Sequence, residues 1–136
     1  MSLKDLIGEY GLVIKVDVSD LERSVKWYCE KLHFELDERF NADTWRQLTI
    51  PEVPNTAIGL HLNPDSTATG EKKATFVVND ITAARNELIK NNVEVEEIVK
   101  LGEWVQLTFF KDPDGNILGL RQNHAVLPQP GDMGKK

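Results

Sequence analysis

Two apolar runs separated by a turn-forming segment most constrain the fold of this chain. The runs cover residues 104–110 and 117–120, and the segment between them includes Asp-Pro-Asp-Gly-Asn at 112–116. Proline presets φ for a turn, glycine accepts positive φ, and Asp or Asn side chains can hydrogen-bond the nearby backbone. The pattern therefore predicts a β-hairpin.

A loop from residue 111 to residue 117 also fixes which residues of the hairpin pair. It places Phe109 opposite Gly119 and Leu107 opposite Arg121. Because side chains alternate between the two faces of a strand, these four residues and Ile117 share one face.

Three segments of the chain recur at nearly the same offset. Residues 44–50 match residues 103–109 at an offset of 59. Residues 18–20 match residues 78–80, and residues 58–60 match residues 118–120, both at an offset of 60. Two copies are too few for a solenoid, so the repeat indicates a duplicated module within one domain over residues 1–136.

Each copy contains one helical and four strand-like segments in the order β-α-β-β-β. In module one (residues 11–62), strands are predicted at 11–18, 34–40, 44–50 and 57–62, with a helix capped by Ser19. After a polar linker at 63–72, module two (residues 73–122) has strands at 73–78, 95–99, 104–110 and 117–122, and a helix capped by Asn79 or Asp80. A Pro- and Gly-containing tail covers 123–136.

Composition narrows the class of partner. A net charge of −6 argues against nucleic acid as the main partner. The N-terminus lacks the basic and apolar regions of a signal peptide, and no apolar run reaches the roughly 20 residues that span a membrane. We therefore expect a cytoplasmic protein with no membrane partner. With one cysteine, Cys29, no internal disulfide can form.

The repeat and two motifs resemble the vicinal oxygen chelate superfamily, which includes glyoxalase I, the bleomycin and fosfomycin resistance proteins and the extradiol dioxygenases. The motifs are SDLERSVKWY at 19–28 and FKDPDGN at 110–116. The resemblance implies an α+β fold of two tandem βαβββ modules, whose curved mixed sheets form a cup-shaped cavity with the helices outside. It also implies a homodimer.

Enzymes of that family bind one divalent metal through His and Glu side chains at four strand positions. Matched by motif, those positions hold Val13, Gly59, Lys73 and Gly119. Valine and glycine offer no side-chain donor, and a lysine ammonium repels a cation. We therefore expect neither a metal nor another cofactor.

The residues expected in the cup form one candidate ligand site. Apolar side chains would line it, the two glycines would leave space for a ligand ring, and His61 and Arg121 would supply polar contacts. The candidate ligand-binding residues are Arg46, Leu48, Ile50, Gly59, His61, Leu107, Phe109, Gly119 and Arg121. The alternatives are a packed core for the apolar set, a half-exposed strand histidine for His61 and a salt bridge for Arg121. Trp45 and Trp104 are expected on the opposite face, in structural roles.

Two function hypotheses follow. The first is a metal-free binding protein, similar to the bleomycin resistance branch, that holds an apolar or amphipathic small molecule. The alternative is a lyase or isomerase of the same superfamily with an atypical or metal-independent site near His61. No catalytic residue is assigned, and whether the chain is an enzyme stays open at this point.

Overall fold

The computed structural model describes residues 2–67 and 69–123, so the predicted tail beyond Asn123 lies outside the described residues. Contacts divide the chain into two units. Unit one comprises Met1–Thr69 and Asp112–Gly115, and unit two comprises Gly70–Lys111 and the residues from Asn116 onward. Neither helix in the described part of the chain has the length and apolar character needed to cross a bilayer.

Unit one has the β-α-β-β-β order that the repeat predicts. Its elements are β1 (Leu12–Val18), α1 (Leu21–Leu32), β2 (Glu35–Leu36), β3 (Trp45–Thr49) and β4 (Thr56–Leu62). The strands form a mixed sheet in the order β1-β4-β3-β2, in which β1 and β4 are parallel and the other neighbours are antiparallel.

Unit two repeats that topology. Its elements are β5 (Lys72–Val77), α2 (Ile81–Lys90), β6 (Val99–Leu101), β7 (Val105–Lys111) and β8 (Ile117–Asn123). The sheet order is β5-β8-β7-β6, with β5 and β8 parallel. Phe109 pairs with Gly119 and Leu107 with Arg121, which confirms the predicted hairpin register. The α+β class with two βαβββ modules is also confirmed.

In each unit the helix covers one face of its sheet. Arg46 on β3 forms an ion pair with Glu22 on α1, and the side chain of Gln122 on β8 accepts a hydrogen bond from the first residue of α2, Ile81. We call the other side of each sheet its open face. By strand alternation and register, the open face of unit two carries Thr75, Val77, Val99, Leu101, Val105, Leu107, Phe109, Lys111, Ile117, Gly119, Arg121 and Asn123. Lys72 belongs to the same face, because it pairs with Ile117 ahead of a register shift between Lys72 and Ala74 and contacts the Phe109 ring.

Three local predictions are wrong. Asp20, not Ser19, caps α1 by accepting from the backbone N–H of Arg23, while the Ser19 hydroxyl donates to Asp114. Residues 34–40 do not form one strand, because the side chain of Asp37 accepts from the backbone of Arg39 and starts a 3₁₀ turn.

The third wrong prediction is the strand at 95–99. Val95 makes an isolated bridge to Phe110, and the regular strand begins only at Val99. By contrast, Asp80 caps α2, and His33 ends α1 in the left-handed conformation at φ 61°, in the place that a glycine commonly takes.

The turn of the β7–β8 hairpin is closed by its own residues. The N–H of Gly115 donates to the carbonyl of Asp112 at 2.9 Å, and the N–H of Asp114 donates to the Asp112 carboxylate at 2.9 Å. Gly115 has φ 82°, which a residue with a side chain adopts at a cost. These bonds confirm Asp112, Asp114 and Gly115 as turn residues.

A buried hydrogen bond fastens this turn within unit one. The Tyr28 hydroxyl, on the inner side of α1, donates to Asp112 at 2.8 Å, and both side chains are buried. Burial first, and then the neighbouring Asp112 carboxylate, raise the pKa of Tyr28 well above its usual value. The phenol therefore stays protonated and remains a donor.

We expect Tyr28→Phe to lower the free energy of unfolding by about 1–3 kcal/mol, because it removes a donor from a buried carboxylate. Tyr10→Phe is the matched control: its hydroxyl also donates to an aspartate at 2.8 Å, but Asp37 keeps its bonds to Arg39. Urea unfolding of both variants is the measurement. Equal losses in the two variants would contradict the role given to the buried bond.

Candidate functional site

A row of side chains crosses all four strands on the open face of unit two. Val77 pairs with Arg121, Arg121 with Leu107, and Leu107 with Val99. Val77 is 65% exposed and Val99 60% exposed, and Leu101 on β6 is 55% exposed. Large apolar side chains on both edge strands, β5 and β6, therefore lie exposed on one face of the sheet.

Phe109 lies next to this row and covers a glycine. A methyl group built on Gly119 would lie 3.1 Å from Cε1 of Phe109 and 3.1 Å from Oγ1 of Thr75. The phenyl ring therefore takes up the space that the sequence analysis left for a ligand at Gly119. Lys72 places its Nζ atom 5.2 Å from the centroid of the same ring.

Arg121 lies between Val77 and Leu107 on the open face. Its Nε atom donates to the side-chain carbonyl of Asn123 at 2.7 Å, and the side chain is half-buried. Within residues 2–67 and 69–123 no carboxylate forms an ion pair with it. The salt bridge considered as its alternative role is thus not formed among these residues.

The open face of unit one is arranged differently. Gly59 pairs with Gln47, and His61 pairs with Trp45. A methyl group built on Gly59 would collide with Cζ2 and Cη2 of Trp45, so the indole covers this glycine. The expectation that Trp45 lies on the face opposite the site is therefore wrong.

His61 forms a pair with an acid on the neighbouring strand. Its Nδ1 atom lies 3.1 Å from Oδ1 of Asp17, and Nζ of Lys15 lies 3.3 Å from the same oxygen. The other oxygen of Asp17, Oδ2, accepts from Nδ2 of Asn63 at 3.3 Å. Burial raises the pKa of Asp17, but hydrogen bonds from Asn63, His61 and Lys15 outweigh it and lower the pKa. A charged Asp17 favours a proton on Nδ1, which leaves Nε2 as an acceptor.

Arg46 and Leu48 are not on the open face. Leu48 pairs with Ile58 and is fully buried on the helix side. Arg46 donates to the carbonyls of Ala42 and Trp45 and pairs with Glu22. The placement of Leu48 beside Gly59 and His61 is therefore wrong, and Ile50 follows the last residue of β3.

The error arises from the offset used to match the modules. The first strands of the two hairpins were matched at an offset of 59 residues, but the observed pairing equates Gln47 with Phe109, an offset of 62. The difference of three residues is odd, so it turns every side chain to the other face.

Sequence reasoning missed four residues that the structure adds to the open faces: Trp45, Lys72, Val77 and Val99. The partnership of Asp17 with His61 was also missed. Asp17 on β1 and His61 on β4 occupy directly paired positions of two parallel strands. The register of these strands was the signal that could have revealed the partnership.

A pocket of about 530 Å³ lies at the end of the unit-two sheet, where β6, β7 and β8 meet. Its lining residues are Lys100, Gly102, Glu103, Trp104, Val105, Gln106, Gln122 and Asn123. None of them is among the candidate ligand-binding residues.

Comparison with protein families gives one match that covers most of the chain. The model of the Glyoxalase/Bleomycin resistance protein/Dioxygenase superfamily matches residues 13–120. The chain belongs to this superfamily. Comparison with curated protein sequences gave no match.

Solved structures of the superfamily have the same fold. TnmS3, an antibiotic binding protein from Streptomyces sp. CB03234, is 27% identical with a TM-score of 0.67, covering 82% of this chain and 93% of its own. A glyoxalase/bleomycin resistance protein from the same strain is 28% identical with a TM-score of 0.60, covering 82% and 98%. A superfamily member from Sphaerobacter thermophilus DSM 20745 is 23% identical with a TM-score of 0.67, covering 81% and 94%.

The residues at the superfamily's metal positions do not fit a metal ion. Val13, Gly59, Lys73 and Gly119 supply no carboxylate or imidazole, and aromatic rings cover both glycines. Among the described residues no three His, Cys, Asp or Glu side chains form a group that could hold an ion.

The thiol of Cys29 in unit one is not activated. Burial raises the pKa of this thiol, which disfavours the reactive thiolate.

Proposed function

We propose that this protein binds a small apolar or amphipathic molecule on the open face of unit two, without a metal ion. The observation that carries the proposal is the cluster of Val99, Leu101 and Leu107 beside the ring of Phe109, in which Val99 is 60% and Leu101 55% exposed. Contiguous apolar side chains on a surface mark a binding site, and a ligand that covers them removes their area from water.

The polar groups on the same face suit a site that orients its ligand. Small-molecule sites combine an apolar lining with a few placed polar groups, and here Arg121 and Thr75 lie among apolar neighbours. The superfamily relative TnmS3 is named an antibiotic binding protein, and its 27% identity over most of both chains supports the same class of function.

We expect the neutral dye N-phenyl-1-naphthylamine to bind with a rise in fluorescence, and Phe109→Ala to weaken that binding. Loss of ring stacking costs about 0.5–1.5 kcal/mol beyond area burial, which corresponds to a dissociation constant about 2- to 12-fold higher. Fluorescence titration is the measurement, with circular dichroism to show that the variant is folded.

Phe40→Ala is the matched control for this titration. Phe40 is 41% exposed and contacts Tyr10 in unit one, whereas β7 and β8 belong to unit two. It should leave dye binding unchanged. The proposal fails if the parent protein does not bind the dye, or if both Phe→Ala variants weaken binding equally.

The Asp17–His61 pair supports a second candidate function, a lyase or isomerase that works without metal. A carboxylate that orients an imidazole leaves Nε2 ready to accept a proton from a substrate carbon. In the isomerisation of an unsaturated ketone, the electron pair of the broken C–H bond would form a dienolate with the carbonyl, and the imidazolium would return the proton to the far carbon of the double bond.

If His61 performs this step, the protein should exchange carbon-bound protons beside the carbonyl of small ketones for deuterium in D₂O. Proton NMR of a ketone panel measures the exchange. His61→Gln should abolish it, and His33→Asn, at an exposed left-handed position, should not. Equal exchange rates in the parent protein and His61→Gln would exclude the function.

We also propose a homodimer. Each unit exposes apolar side chains that a second copy could cover, and isologous dimers are the most frequent oligomers. Among the described residues, the exposed large apolar side chains outside the proposed ligand face are Leu3, Leu6, Ile7, Leu12, Val13, Phe40, Val53 and Ile89. Sedimentation at micromolar concentration should give the dimer mass, and a monomer mass there would reject the proposal.

A further inference from the structure

We infer that the ligand of the unit-two open face is a planar aromatic molecule with one anionic group, which Lys72 and Arg121 bind. The inference rests on the proposed function, because it specifies the chemistry of the molecule that this face binds. It depends on where the cations of the face lie and on what else contacts them.

Lys72 provides the first cation. Its ammonium lies 5.2 Å from the centroid of the Phe109 ring, which is within the range of a cation–π contact. In the described part of the chain no carboxylate pairs with it, whereas the next residue, Lys73, pairs with Glu71 at 3.4 Å. An aromatic ligand that stacks beside Phe109 therefore meets an ammonium whose charge is not neutralised by an acid.

Arg121 provides the second cation on the other side of Phe109. Lys72 pairs with Ile117 and Phe109 pairs with Gly119, and these two partners precede Arg121 at alternate positions along β8. Four residues of a strand span about 13 Å, so a molecule with two or three fused rings reaches from Phe109 to either cation. The neutral side chain of Asn123 orients Arg121 through Nε and does not cancel its charge.

The strand positions of the open face of unit two carry no acid among the described residues. Glu71 pairs with Lys73 and Glu97 with Arg85 of α2, so both carboxylates already have basic partners. Although the protein has a net charge of −6, this face carries Lys72, Lys111 and Arg121 and no acid at its strand positions, and such a face attracts an anion.

Two dyes with related ring systems test the inference. The anionic probe is 8-anilinonaphthalene-1-sulfonate, and the neutral probe is N-phenyl-1-naphthylamine, which lacks the sulfonate. Arg121→Gln and Lys72→Gln should each raise the dissociation constant of the anionic dye about 3- to 10-fold and that of the neutral dye less than 2-fold. Arg121→Lys retains the charge. The logarithm of its dissociation constant for the anionic dye should therefore lie at least halfway back from the value of Arg121→Gln to that of the parent protein. Added salt should weaken only the anionic dye in the parent protein, because it screens exposed charges.

Lys100→Gln is the control for an unrelated anion site. Lys100 pairs with Gln106 on the helix side of the sheet and lines the pocket at the sheet end, and its replacement removes the same charge. If it weakens the anionic dye while Arg121→Gln and Lys72→Gln do not, the anion binds in that pocket and the inference is wrong. Binding of both dyes that is insensitive to Arg121 and Lys72 also overturns it but leaves the proposed function standing. Failure of both dyes to bind contradicts the proposed function as well.

Discussion

The register of the β7–β8 hairpin is the constraint on which the open face of unit two depends. Hydrogen bonds within the turn, from Gly115 and Asp114 to Asp112, fix where the two strands start to pair. That register places Phe109 on Gly119 and sets Arg121 between Leu107 and Val77. Because strand side chains alternate, a slip of one residue would turn these groups toward α2 and the helix-facing residues outward. The short turn therefore determines which residues can meet a ligand.

The loops of the two hairpins differ in how clearly their residues specify the pairing register. The sequence therefore predicts the β7–β8 hairpin well and the β3–β4 hairpin poorly. The β7–β8 loop contains proline and glycine at positions with defined turn conformations, so its register could be read directly. The β3–β4 loop places two residues with side chains, Glu52 and Asn55, at positive φ, at 70° and 60°. Glutamate gives little sign of that conformation, so the loop did not reveal its register and the internal repeat was used instead. The repeat identified the modules and their element order, but a repeat offset that is wrong by an odd number assigns Leu48 to the wrong face.

The two glycines show a second limit of reasoning from the sequence. A glycine among strand residues was interpreted as space for a ligand. A strand also carries glycine where another group approaches its backbone closely. In both units an aromatic ring lies against the glycine in this way. An indole covers Gly59 from a diagonal position, and a phenyl ring covers Gly119 from the directly paired position. The residue that would cover each glycine depends on rotamer and register together, so composition and spacing could not reveal it.

The net charge of this chain differs in sign from the charge at the strand positions on the open face of unit two. The value of −6 correctly describes the protein as a whole and argues against nucleic acid as its main partner. A bound molecule instead responds mainly to charges within about 8–10 Å at ordinary salt, since more distant exposed charges are screened. Arg121 pairs with both Val77 and Leu107, Nζ of Lys72 lies 5.2 Å from the centroid of the Phe109 ring, and the described strand positions of that face carry no acid. The proposal of an anionic ligand therefore rests on the arrangement of charge within one sheet face, which strand pairing establishes and which the net charge of the chain does not show.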